Sequence, residues 1–446
     1  MEHTVVLGNG ISGITTARNL RKHSNEKITI VSGETEYFFS RTALMYIFMG
    51  HMRFEDTIPY ETSFWPKNKL ELKQGWVESI DFANSKLHFT DGSQLSYTKL
   101  VLALGSTPNK FGWPGQDLQG VQGLYSYQDL QNLEHHFKKG MQNAVIVGGG
   151  LIGVELAEML HSRGVHVHFL VREDHFWGSV LPPQDSELVG REILKNGIDL
   201  RFNSNLESIV DNGKGEVKAV RIKESNEEIT CDFVGLTAGV RPNVDWLKDS
   251  ELNIDRGIVV NEYLETNIPN VYACGDCAQI AEPLDGRKPI EAVWYAGRMM
   301  GNALGLTLSG KRTAYQPGPW FNSAKFFDLE YQTYGTVMAS IPEHQHSFYW
   351  ENGEGTCALH LVFDKENSTL IGVNAFGIRL RHEMMDHWLR EGLRIEQFFL
   401  NWNKVVFDPE FYTNHQPHIV QAFNTQFGTE IPVKKKGFSL FKKGKK

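Results

Sequence analysis

Disulfide chemistry has little to work with in this chain. Four cysteines (Cys231, Cys274, Cys277, Cys357) stand among 446 residues at irregular spacing, which excludes a disulfide scaffold. No apolar run reaches the length needed to span a bilayer. A secretory leader is not expected, because a strand-like run starts at about His3, and the chain reads as cytoplasmic. Basic charge is also short: 45 Lys and Arg face 53 Asp and Glu, a net of −8. Seven lysines crowd into KKKGFSLFKKGKK (434–446), so the remainder holds 38 basic against 53 acidic residues, or −15. An acidic body argues against nucleic acid as the main partner. The histidines (His135, His136, His161, His166, His168, His344, His346) lack carboxylate or cysteine company at ligand spacing, so no metal site is expected.

What the chain has is glycine in two places. TVVLGNGISGITTA (Thr4–Ala17) carries Gly8, Gly10 and Gly13 as G-x-G-x-x-G. AVIVGGGLIGVELAE (Ala144–Glu158) carries Gly148, Gly150 and Gly153, with Gly149 as an extra. In this pattern the first glycine turns from strand to helix. The second lets the backbone approach a pyrophosphate, and the third lets helix and strand pack closely. The helix N-terminus then offers free N–H groups and the positive end of its dipole. Each loop follows a strand-like run (Val5–Leu7; Val145–Val147) and precedes a helix-like run (Ile11–His23; Leu151–Arg163). Each helix leads to a further strand (Ile28–Val31; Val165–Val171). The spacing predicts two βαβ units about 140 residues apart, each a cradle for a dinucleotide. A chain of this length suggests roughly three domains.

Three more segments fall into place beside the loops: LVLALGSTPN (100–109), GVRPN (239–243) and NVYACGDCAQI (270–280). With them the chain resembles the two-dinucleotide-binding-domain flavoproteins, the family of pyridine nucleotide–disulfide oxidoreductases and ferredoxin reductases. The resemblance covers about residues 3–305. It implies an α/β fold with two Rossmann-like domains: an FAD domain (1–115 and 241–315) with an NAD(P) domain (116–240) inserted in it. An α+β interface domain (316–433) follows, covering one side of the flavin. It implies FAD at the first loop (Gly8, Asn9, Gly10, Ile11, Gly13) and NADH or NADPH at the second (Gly148, Gly149, Gly150, Ile152, Gly153). Ala103, Gly105, Gly239 and Asp276 lie in the matching segments, with Asp276 set to bind the ribityl and phosphate region.

Individual positions leave alternatives. Ser32 stands where many relatives hold the adenosine ribose with an acid. Glu34, 21 residues past Gly13, is the candidate, or else a solvated loop acid. Arg41, in EYFFSRTALMY, resembles the reductase pattern in which an Arg opens a helix and forks the FAD pyrophosphate; otherwise it caps that helix. In the disulfide-reducing branches a redox cysteine lies in this stretch. Arg41 takes its place, so electron flow through a thiol is not expected. Cys274 and Cys277 straddle Asp276 and read as packing residues rather than as a dithiol. Glu155 is the candidate catalytic residue near the nicotinamide–flavin contact, or else a capping carboxylate in the first helical turn. The lysine that pairs with it in several relatives is replaced by Tyr46. Nicotinamide choice stays open: GxGxxG leans to NADH, while Arg172, after Val171, leans to NADPH. PIEAVWYAGRMMG (289–301) should begin a helix, with Trp294 either beside the isoalloxazine or on an ordinary helix face.

From about Tyr315 the residues alternate as antiparallel strands do. A hairpin is expected around Glu366–Ser368, and helices over 381–392 and 394–407. The tail 434–446 reads as a disordered solubilising segment, or as a weak contact with anionic lipid or an acidic redox carrier. The implied function is an FAD-dependent NAD(P)H oxidoreductase passing electrons to a small iron–sulfur protein, a ferredoxin or rubredoxin. Direct reduction of quinone or oxygen at the membrane surface is the enzymatic rival. An NADH-sensing flavoprotein with little turnover, like apoptosis-inducing factor, is the third reading, and Tyr46 fits it. An oligomer is left open.

Overall fold

The computed structural model describes residues 2–284, 286–407 and 413–433; the basic tail lies outside the described residues. Contacts divide the chain into two compact units, Met1–Gly178 with Val189–Pro317, and Ser179–Leu188 with Gly318–Lys446.

The first unit opens with β1 (His3–Leu7), α1 (Ile11–His23), β2 (Lys27–Ser32), β3 (Leu70–Gln74) and β4 (Lys99–Leu102). The chain then builds a second sheet with β5 (Val121–Gln122), α2 (Tyr127–Lys138), β6 (Asn143–Val147), α3 (Leu151–Ser162) and β7 (His166–Leu170). This sheet is completed by β8 (Asp199–Arg201) and β9 (Phe233–Leu236). Helix α4 (Pro183–Lys195) begins in the Ser179–Leu188 segment of the second unit and ends in the first. The chain returns to the first sheet through β10 (Val271–Ala273), followed by α5 (Trp294–Leu308). Strand order is β10-β4-β1-β2-β3 in the first sheet and β8-β7-β6-β9-β5 in the second, with parallel pairing throughout. Strand order reverses at β1 and again at β6. In open parallel sheets the ligand crevice lies outside the carboxyl ends of the strands at such a point, which is where the two glycine loops stand.

Local sequence explains these elements. The strands are nearly continuous apolar runs, as sheets covered on both faces require; Val5, Val6, Val145 and Ile146 are fully buried. α1 turns Ile14, Ala17 and Leu20 inward and ends in Arg21, Lys22 and His23, which suit the negative end of its dipole. Gly297, Gly301 and Gly305 recur every four residues on α5. A Cβ on Gly301 would stand 2.6 Å from the Ser12 carbonyl oxygen, and one on Gly305 2.6 Å from Asn19 Cβ. The stripe therefore lets α5 lie directly on α1. The helix expected from 289 starts only at Trp294: Arg287 and Glu291 form a buried ion pair, and Val293 is extended (φ −136°).

The second unit is an antiparallel sheet of β11 (Phe321–Phe326), β12 (Leu329–Gly335), β13 (Gln345–Glu351), β14 (Ala358–Asp364) and β15 (Leu370–Phe376), in the order β11-β12-β15-β14-β13. The turn at Glu366–Ser368 joins β14 to β15, with Ser368 at φ +60°. Helices α6 (His382–Arg390), α7 (Ile395–Leu400) and α8 (Gln416–Phe427) follow. Leu359, Leu361 and Phe363 of β14 share a core with Phe398, Phe399 and Phe423 of α7 and α8. The helix expected over 394–407 is interrupted at Asn401, whose side chain bonds back to the Gln397 carbonyl (2.9 Å). No helix among the described residues is long and apolar enough to cross a membrane.

Gly301→Val pushes atoms into the Ser12 backbone. The expected outcome is a loss of about 1–3 kcal/mol, read as a lower thermal midpoint. An unchanged midpoint would show that α1 and α5 part without strain.

Candidate functional site

β1 and β6 end in the same turn. Gly8 has φ +115° and Gly148 φ +118°, a region that glycine enters without steric cost. A Cβ on Gly8 would lie 2.1 Å from the Ala103 carbonyl oxygen, and one on Gly148 2.7 Å from the Ala238 nitrogen. On Gly13 it would lie 2.1 Å from the Gly8 oxygen, and on Gly153 2.4 Å from the Gly148 oxygen. At Gly10 and Gly150 it would meet nothing within 4 Å. Packing therefore demands the outer two glycines of each loop, while the middle one keeps the space before the helix open. Both helices start there with no side-chain cap and no acid in the first turn, so their N–H groups and dipoles are left for an anion. These residues fit a dinucleotide diphosphate at each loop. Asn9 braces the first loop by donating to the Thr35 carbonyl (2.9 Å). Gly149 lies against Val171, where a Cβ would come 2.8 Å from Cγ1. Ile11 and Ile152, in the opening turns, are half-buried.

Beside the first loop a polar network gathers Glu34, Arg41, Gly105 and Asp276. The Arg41 guanidinium forks both Glu34 oxygens (2.9 and 2.6 Å) and donates to the Tyr125 carbonyl (2.6 Å). It lies 4.5 Å from the centre of the Tyr125 ring and 5.2 Å from that of Phe39. Glu34 also accepts from the Tyr127 N–H (2.8 Å), so it is no free loop acid. Asp276 Oδ2 accepts from Ser106 Oγ (3.0 Å) and Tyr125 Oη (3.2 Å). Burial pushes this carboxyl up, against the pull of those two donors and the Arg41 charge. Gly105, at φ +68°, makes room, since a Cβ there would stand 2.7 Å from Tyr125 Oη. Tyr125 and Ser106 were not read from the sequence. The one local signal near Tyr125 is Ser126, the N-cap of α2, which announces a helix and not a site.

Glu155, Arg172 and Trp294 stand outside that network. Glu155 is the fifth residue of α3, and the first turn of that helix holds no acid; the capping alternative fails on position. Burial, with the charge of Glu158, pushes its carboxyl up to about 7. Gly239 (φ +84°) accepts at its carbonyl from the Asn109 N–H (3.1 Å). The exposed Arg172 pairs with its neighbour Glu173 (2.8 Å), which shares its charge. Trp294 opens α5 with the Arg298 guanidinium 5.5 Å from its ring. Cys274 and Cys277 are fully buried, and burial pushes their thiols up to about 11 and about 12. The Cys277 thiol donates to the Leu102 carbonyl (3.3 Å). Among the described residues no group of His, Cys, Asp and Glu is placed to hold a metal ion.

Gly10→Ala and Gly150→Ala separate the two loops. Each should leave the apoprotein's stability within about 1 kcal/mol. The first should weaken FAD binding, and the second NAD(P)H binding, by roughly tenfold, about 1.4 kcal/mol. Titration of each ligand into each variant checks this; loss of both ligands in either variant would mean that the loops do not act separately.

The profile of the family described as pyridine nucleotide-disulphide oxidoreductase matches residues 2–301. The NADH oxidase of Methanocaldococcus jannaschii is 30% identical over 338 residues, covering 73% of this chain and 74% of that protein. The rubredoxin-NAD(+) reductase of Ectopseudomonas oleovorans is 28% identical over 285 residues, covering 63% and 73%. The solved NAD-dependent persulfide reductase of A. fulgidus superimposes with a TM-score of 0.82 at 21% identity, over 96% of this chain and 84% of that one, which speaks for the fold. On a match of this extent the chain belongs to the pyridine nucleotide-disulphide oxidoreductase family, and it is an FAD-dependent NAD(P)H oxidoreductase.

Proposed function

We propose that the chain passes electrons from NAD(P)H through FAD to a small redox protein of the ferredoxin or rubredoxin kind. The observation that carries this reading is Arg41. It occupies the stretch where disulfide-reducing relatives place a redox cysteine, and it is held by Glu34 and Tyr125. The buried, protonated Cys274 and Cys277 offer no substitute relay. Electrons then leave for an external acceptor, and the likeness to a rubredoxin reductase supports a small protein in that place. Bound FAD would supply hydride acceptance and stepwise electron release. The chain's residues do the positioning. The first loop with Arg41 and Asp276 holds the flavin dinucleotide. The second loop holds the nicotinamide dinucleotide, with Arg172 at its adenosine end. The Glu155 carboxylate would orient the nicotinamide carboxamide. The NADH oxidase relative favours one second reading, oxygen as the acceptor.

Anaerobic stopped-flow mixing with NADH and with NADPH, followed by addition of reduced-flavin acceptors, tests the reading. The flavin band should bleach within seconds, and a rubredoxin or ferredoxin should restore it faster than air does. Faster return in air would favour the oxidase reading, and no bleaching with either nucleotide would end both.

Glu155 supplies a pH prediction. Below pH 7 its carboxyl is neutral and above it charged. NAD(+) affinity should therefore rise as pH passes about 7 and stay flat in Glu155→Gln. Stability runs the other way. The folded pKa lies above the ordinary carboxylate value, so the contribution of Glu155 is lost as pH rises toward 7. Glu155→Gln should melt higher than the parent at pH 8 and alike near pH 4; equal melting at both would refute the assignment.

A further inference from the structure

In the second unit, β14 and β15 turn alternate side chains away from the helices. His360 and Asn374 lie on that opposite face, at 1% exposure each. Asp185, from the Ser179–Leu188 segment of the same unit, meets them there at 0% exposure. His360 Nδ1 lies 2.7 Å from Asp185 Oδ1. Asp185 Oδ2 accepts from Asn374 Nδ2 at 2.6 Å, and Asn374 Oδ1 accepts from Tyr331 Oη at 3.2 Å. The carboxylate, which only accepts, settles which end of the amide faces it, and the tyrosine hydroxyl donates to the other end. Across the ring, His360 Nε2 lies 2.6 Å from Ser347 Oγ. A carboxylate only accepts, so Nδ1 carries a proton, and in the neutral ring Nε2 holds the lone pair. With that tautomer the Ser347 hydroxyl donates to Nε2. Ser347 stands on β13, an edge strand of the sheet, and is half-exposed. A half-buried serine, an oriented imidazole and a buried carboxylate stand in line, the arrangement that makes an alcohol nucleophilic.

We propose that Ser347, His360 and Asp185 form a second reactive site, independent of the dinucleotide loops, that hydrolyses short-chain carboxylic esters. Ser347 Oγ bonds to the carbonyl carbon as its proton passes to His360 Nε2. The C–O bond to the alcohol breaks, and His360 returns the proton to the leaving oxygen. Water then attacks the acyl-serine and gives a proton to His360. The carboxylic acid departs, and Ser347 recovers its hydrogen. Asp185 touches no substrate; it is a positioning residue that holds the ring's tautomer and balances its charge when protonated. The strand edge suits a small acyl group whose leaving group stays in water. A fixed amide nearby, Gln426 Nε2, is engaged by the Ser347 carbonyl (3.2 Å). Loss of one oxyanion donor slows such chemistry by roughly 10²–10³, so covalent capture is a sharper readout than turnover.

The FAD-loaded full chain is treated with a fluorophosphonate probe, digested and read by peptide mass spectrometry, and assayed with p-nitrophenyl acetate. Labelling is expected at Ser347. Ser347→Ala removes only the hydroxyl of a half-buried residue; it should abolish the label and the ester hydrolysis while NADH still bleaches the flavin as before. Asp185→Asn should slow labelling by roughly 10²–10⁴ and lower kcat for the ester with KM unchanged, a split that lost packing does not produce. Asp185→Glu should recover part of the rate. An unlabelled Ser347 in folded, FAD-loaded protein overturns the proposal. So does Asp185→Asn labelling at the parent rate, which would leave the chain of bonds a purely structural anchor.

Discussion

Backbone meets backbone around α1. Gly8 rests on the Ala103 carbonyl, Gly13 on the Gly8 carbonyl, and Gly301 lowers α5 onto the Ser12 carbonyl. None of these contacts has room for a Cβ. Together they fix the direction in which the helix N-terminus points, and an anion site made of backbone N–H groups is only as good as that aim. The second loop is braced the same way: Gly148 meets the backbone of Thr237 and Ala238, and Gly153 rests on the Gly148 carbonyl.

The polar groups near the first loop obey a second constraint. Arg41, Glu34 and Asp276 are brought into a partly desolvated region, and each charge there requires company. Glu34 and Arg41 answer one another by a two-pronged bond, and Tyr125 spans the gap to Asp276 with its ring against the guanidinium and its hydroxyl on the carboxylate. The arrangement explains why a tyrosine with no motif of its own occupies the centre of the site.

Much of this was legible in the residue order. G-x-G-x-x-G states a backbone requirement, and α1 runs over the very residues, Ile11–His23, that the pattern marks. Alternation around 358–376 and a polar turn between gave the β14–β15 hairpin. Other features depend on partners far along the chain. Ser106, Tyr125 and Asp276 meet across some 170 residues, and no local period encodes that meeting. The late start of α5 reflects the Arg287–Glu291 pair, and the break at Asn401 a side chain turning back on its own helix. Ser347, His360 and Asp185 lie on three separate segments, which is why reading along the chain passed over them.

The burial of Cys274 and Cys277 reaches beyond electron transfer. Arsenicals, gold compounds and alkylating agents disable dithiol enzymes by capturing an exposed thiolate. Here the two thiols nearest the flavin segment are sealed within the core and stay protonated across the physiological range. A cell under thiol poisoning would keep this flavoprotein's own electron path while its disulfide-using kin fall silent.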